Sequence, residues 1–155
     1  MSSRARTVCR TLLVAAVLAL PGCGGGGDNG PKTLTRQKLI AAGDALCTEY
    51  NAKQAQLGQP KTIKQLAAYG KKLLPVQDDI GRRFKQLQPP AEVSAAFGRV
   101  IAAQEQLGKL SRERYAAAAK NDARAVKAIT AKFRTAYAPY VTAAREVGFK
   151  VCATG

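Results

Sequence analysis

An all-α domain, arranged as an up-down-up-down four-helix bundle, is what this 155-residue sequence predicts. Three observations lead there. Apolar residues recur at intervals of three and four through four segments; no stretch alternates with period two; and short runs holding proline, glycine or Asn-Asp part the segments. Helices of roughly 24 to 30 residues with such short connections pack as antiparallel neighbours.

In the first segment Leu39, Gly43, Leu46, Tyr50, Gln54 and Leu57 share a face, with Cys47 at its edge. Thr35 stands where an N-cap belongs, Leu34 and Leu39 are spaced for a hydrophobic staple, and Gly58 with Pro60 stops the helix. The second segment alternates strictly from Ile63 and Leu66 through Gly70, Leu73, Gln77 and Ile80 to Phe84 and Leu87, with Thr62 as its cap and Pro89-Pro90 as its end. Pro75 lies inside it and removes one backbone hydrogen bond. The helix is therefore expected to kink or divide near residues 71–74, which leaves a five-helix count open. Val93, Phe97, Val100, Gln104, Leu107, Ser111 and Tyr115 mark the third segment, which closes on Ala116 to Ala119. After the Asn121-Asp122 turn, with Asp122 as cap, the fourth carries Val126, Ile129, Phe133, Ala136, Tyr137, Tyr140, Ala144 and Val147, and Pro139 predicts a second kink. Gly148 supplies a C-terminal stop, and Phe149 can fold onto the last turn as the apolar partner of a Schellman-type cap.

The N-terminus carries an address. Arg4, Arg6 and Arg10 form a positive region without acids, and Thr11 to Leu20 is apolar but far short of the ~20 residues that span a bilayer. Leu20-Pro21-Gly22-Cys23 resembles the lipobox of bacterial lipoproteins, with Pro21 departing from the small residue usual at that position. The resemblance implies cleavage before Cys23 and attachment of a diacylglycerol to its sulfur, with acyl chains such as palmitate. Two chains give stable anchoring where one gives only marginal binding. The other reading is an ordinary secretory signal with Cys23 as an unpaired thiol. On the lipobox reading, residues 1–22 are a lipoprotein signal peptide, 23–32 a glycine-rich tether and 33–155 the helical domain. The whole pattern is similar to small helical lipoproteins of actinobacteria, which implies the extracytoplasmic face of the cell membrane and supplies no substrate.

Of the four cysteines, Cys9 leaves with the signal and Cys23 is taken by lipid on that resemblance. Cys47 and Cys152 remain and are expected to form one disulfide in an oxidising compartment. Two independent reactive thiols would instead require surroundings that lower their pKa.

The chain holds 25 basic and 10 acidic residues, and without the three signal arginines 22 face the same 10. Such a balance points to an anionic envelope polymer or lipid headgroups; export argues against nucleic acid. The basic residues are dispersed in sequence, with Lys71-Lys72 and Arg82-Arg83 as short pairs, and a solvated helical surface explains most of them.

The mature chain has no histidine, tryptophan or methionine. Ser-His-Asp and Cys-His nucleophile systems, His-based metal sites and Glu-x-x-His di-iron centres are thereby excluded. No cofactor or metal is expected. Asp78, Asp79, Glu105 and Glu113 form the only mid-chain carboxylate pool; Asp78 and Asp79 diverge by about 100° on a helix, and nearby arginines favour surface pairing. Ser94 and Ser111 have no base beside them in sequence, and Gly24 to Gly27 belongs to the tether. Gln77 and Gln104 fall on the apolar faces, where pairing with each other is the simpler expectation and a ligand contact the sharper one. Tyr50, Tyr69, Tyr115, Tyr137 and Tyr140 read first as core packing and second as the lining of a cleft. No ligand-binding residue is assigned. The function this implies is a non-enzymatic, lipid-anchored helical module that binds an envelope component or a protein; the alternative is a small-ligand or sensor domain with a pocket inside the bundle.

Overall fold

The computed structural model describes residues 32–154; the signal segment, Cys23 and nearly all of the tether lie outside the described residues. Helices α1 (Arg36–Leu57), α2 (Ile63–Gln86), α3 (Ala91–Ala119) and α4 (Ala123–Val147) form the bundle, and no strand occurs among the described residues. The Thr35, Thr62 and Asp122 side chains accept from the backbone N–H groups of Lys38, Gln65 and Ala125, as N-caps do.

α2 and α4 run unbroken through Pro75 and Pro139, so the count is four and the five-helix alternative falls. Both prolines are exposed, as are Lys71 and Thr135, whose carbonyls lose their helical partners. Water can satisfy those carbonyls, and the helices need not divide.

Packing follows chain order, α1 on α2, α2 on α3 and α3 on α4, while α1 and α4 scarcely touch. The C-terminal tail fills part of that seam. Gly148 adopts the left-handed conformation at φ 104°, and Phe149 N–H donates to the Ala144 carbonyl at 3.0 Å, which completes the Schellman cap. The chain then doubles back along α1. Phe149 packs edge-on against Phe84 and Phe97, and it lies so close to α1 that a Cβ on Gly43 would sit 2.3 Å from its ring. Cys152 reaches Cys47 in a disulfide with a Cα–Cα separation of 5.3 Å, closing a separation of 105 residues.

The bundle has two apolar cores. The larger fills the tail end, where Leu39, Phe84, Val100, Val147 and Phe149 are buried around the docked C-terminus. A smaller one, built from Tyr69, Leu73 and Tyr115, lies toward the loop end that carries the α1–α2 and α3–α4 connections. There Gly70 brings α2 against Tyr115; a Cβ on it would stand 2.2 Å from that ring.

Candidate functional site

A cleft of about 660 Å³ opens in the bundle, and all four helices and the tail contribute to its walls. α1 presents Tyr50, α2 Gln77, α3 Gln104, and α4 Phe133, Tyr137 and Tyr140. The disulfide and Thr154 border it, so the tail that closes part of the α1–α4 seam is also a wall of the cleft.

Its interior is apolar with a few polar atoms in fixed places. Phe133 and Tyr137, one helical turn apart, stack with rings tilted by 13°. The Tyr137 hydroxyl donates to the Thr154 carbonyl at 3.4 Å. Tyr140 lies 3.7 Å from Cys47 Sγ, and since that sulfur is bonded to another, the hydroxyl is the donor. Gln104 stands beside the same Tyr140 hydroxyl and favours its ionised form. Gln77 is different: its Oε1 is buried without a partner. The two glutamines therefore do not pair through that oxygen. Gly108 on α3 borders the cleft beside Gln77, and a Cβ there would meet the Gln77 amide nitrogen at 3.5 Å, an ordinary contact, so that a longer side chain would extend into the cleft.

Burial, first, pushes the Tyr140 hydroxyl up to about 12, against a partial offset from the neighbouring Gln104 amide. Burial also raises Tyr50 far above the ordinary phenol range, reinforced by Tyr115 and Tyr69 and opposed by Arg114. Tyr115 is raised by burial and partly relieved by Arg114. All three stay neutral at physiological pH. Arg114 lies over the Tyr115 and Phe133 rings, 4.9 and 5.5 Å from their centroids, and donates to the Tyr115 hydroxyl at 3.0 Å. Its Nε is buried without a partner.

Charges at the rim are matched. Arg112 bonds Asp78 at 2.8 Å, Lys85 bonds Glu105 at 2.7 Å, and Arg82 and Arg83 both engage Asp79. Those contacts, Arg82 foremost, hold the Asp79 carboxyl below its usual range. Asp78, Asp79 and Glu105 do pair at the surface, but only Asp79 finds its partners along its own helix, Asp78 and Glu105 pairing between α2 and α3, and Glu113 is exposed. Among the described residues, no three His, Cys, Asp or Glu side chains gather where they could hold a metal ion. No described helix is long and apolar enough to cross a membrane.

Sequence reasoning placed the tyrosines and Gln77 on inward faces but did not divide them into roles. Tyr69 and Tyr115 form the smaller core, whereas Tyr50, Tyr137 and Tyr140 line the cleft. It missed Asp44 altogether. That carboxylate accepts from the backbone N–H groups of Lys150, Val151 and Cys152, at 2.9 Å from Val151, and so seats the tail beside the disulfide. The one signal was its position three residues before Cys47, on the same face of α1.

No protein-family model, curated protein or solved structure matches this chain. The fold and site together define a disulfide-linked four-helix bundle with a cleft among its helices.

Proposed function

We propose that the chain is a lipid-anchored, extracytoplasmic helical module, non-enzymatic, whose cleft holds a small ligand. Between the two functions the sequence left open, the cleft favours the ligand-binding one. The observation that carries this reading is the buried, unpartnered Gln77 Oε1 in a cavity with aromatic walls: an acceptor sequestered from water is destabilising until a donor reaches it. Matched rim charges and neutral tyrosines point to an uncharged ligand with a flat apolar body and one hydrogen-bond donor, because Asp78, Arg82, Lys85, Glu105 and Arg112, the charged side chains that line the cleft, are already engaged in ion pairs. A size of about 660 Å³ suits such a molecule. The anchor rests on the lipobox sequence, and the non-enzymatic reading on the absence of histidine and on carboxylates already engaged by arginine and lysine.

The neutral fluorescent probe N-phenyl-1-naphthylamine tests the cleft in the intact protein. Saturable one-to-one binding is expected, weakened at least about tenfold by Gly108→Leu, whose side chain would grow into the cavity, with circular dichroism melting checking that the variant stays folded. Absence of saturable binding, or equal binding by the variant, would overturn the reading.

A further inference from the structure

Segments 53–72 and 113–134 build the loop end of the bundle and contain eleven basic residues against two acids, Glu113 and Asp122. The remaining described residues also contain eleven basic residues, but against seven acids. Ion pairing follows the same division. Every ion pair among the described residues, from Arg82–Asp79 to Arg99–Glu146, lies outside the two loop-end segments. Asp122, one of the two acids present, is engaged in capping α4. Lys61, Lys64, Lys72, Lys120, Arg124 and Lys127 are exposed there without a carboxylate partner.

Close like charges repel and are offset by pairing where a protein has acids to spare; here they are left unscreened at one end. The loop end also carries a shallow recess of about 380 Å³ with Tyr69 and Pro60 in its walls and Lys61 and Lys72 on its border. A recess bordered by cations suits one repeat of a chain whose next charges meet the neighbouring lysines.

We propose that this loop end is a docking surface for a linear polyanion, a polymer with a repeated phosphodiester charge. The choice of a polymer over a bilayer rests on the lipid-anchored reading. Leu34 is fixed at the tail end by its N–H bond to the Gln88 carbonyl, and the eleven residue steps from Cys23 to Leu34 span at most about 35–40 Å at full extension. α3, with 29 residues, is about 43 Å long at 1.5 Å per residue. A domain standing on its loop end would hang its tether beyond full extension. On the anchored reading, end-on contact between the cationic end and its own membrane is thus beyond the tether's reach, and a free polymer is the occupant that fits.

The test uses the full protein in nanodiscs of zwitterionic lipid and immobilised polyglycerol phosphate as probe. Binding is expected to weaken about tenfold or more between about 50 and 200 mM salt. Lys61→Gln, Lys64→Gln, Lys72→Gln, Arg124→Gln and Lys127→Gln together should weaken it by more than about tenfold, while the same number of changes at Lys32, Lys38, Lys109, Arg145 and Lys150 should weaken it less than about threefold. Circular dichroism melting checks that both variants fold, and unchanged N-phenyl-1-naphthylamine binding keeps this test separate from that of the cleft. Equal losses in the two variants would assign the attraction to net charge alone and overturn the proposal. So would failure of the wild type to bind the polymer at low salt, or capture of the detergent-solubilised protein by phosphatidylglycerol vesicles and not by the polymer.

Discussion

The two ends of the bundle solve opposite problems with the same helices. At the tail end, a C-terminal segment that would fray is locked by a disulfide, an Asp44 carboxylate on three backbone N–H groups, and Phe149 wedged between Gly43 and two other phenylalanines. Charges there are paired across helices, as in Arg83–Glu49 and Arg99–Glu146. The loop end has a smaller core and leaves its cations unpaired. Stability is concentrated where the C-terminal tail docks on α1, which frees the other end to carry repulsive charge and the middle to carry a cleft.

Removing the disulfide should break this contrast most strongly. Cys47→Ala with Cys152→Ala opens a closure of 105 residues, which the chain-entropy account values at up to about 4.7 kcal/mol; urea unfolding should show a loss of about 3–4 kcal/mol, and a loss below about 1 kcal/mol would mean that the tail holds itself in place.

Next come the two close approaches that define the two cores. Gly43→Ala drives a methyl into the Phe149 ring and Gly70→Ala one into Tyr115. Each is expected to lower stability by about 1–3 kcal/mol despite the better helix propensity of alanine. Hydrogen exchange separates them: the first should loosen residues 149–153 and the second the ends of α2 and α3 near the loops. Asp44→Ala should follow, at about 1–3 kcal/mol, because the tail amides lose their shared acceptor. Faster exchange at Val151 and Cys152 is its signature.

A smaller, graded effect is expected at high pH. The folded protein holds Tyr140 neutral up to about 12, whereas an unfolded tyrosine ionises near 10. Its neutral form is thus fully accommodated below pH of about 10, and stability falls as pH rises from there through the folded value, by up to about 1.4 kcal/mol per pH unit. Tyr50 and Tyr115 are shifted in the same direction for the same first cause, burial. Phenolate absorbance should therefore rise together with unfolding, and Tyr140→Phe should flatten the decline. The least effect is that of salt: screening loop-end repulsion should raise stability by roughly 0.5 kcal/mol, and the five-glutamine loop-end variant should lose that response.

The fold was legible because its signals are local. Thr35, Thr62 and Asp122 stand at caps, Gly148 and Phe149 spell a helix stop, and the apolar intervals leave no room for a strand. Pro75 misled to the extent that a break was possible; its solvent-facing position, which a single helix pattern does not weigh, lets the helix continue. The site was less legible because it depends on pairings between helices. Gln77 and Gln104 occupy equivalent face positions in their own segments, yet Gln77 leaves its Oε1 buried without a partner while Gln104 comes to lie beside Tyr140, and that depends on where α4 lies against α3. Basic residues that look dispersed along the chain gather at one end, because a four-helix topology brings the close of α1 and the start of α2 next to the close of α3 and the start of α4.

The central claim is that an anchored bundle carries a small neutral molecule in its cleft, and native mass spectrometry of the protein extracted from its host's membrane tests it most directly, with and without reduction. The account predicts a mass of residues 23–155 plus acyl chains, two protons lighter before reduction than after, with a further small adduct that Gly108→Leu removes. A protein that carries the acyl chains but never an adduct in the wild type would contradict the ligand-bearing cleft, and one without acyl chains would contradict the anchor.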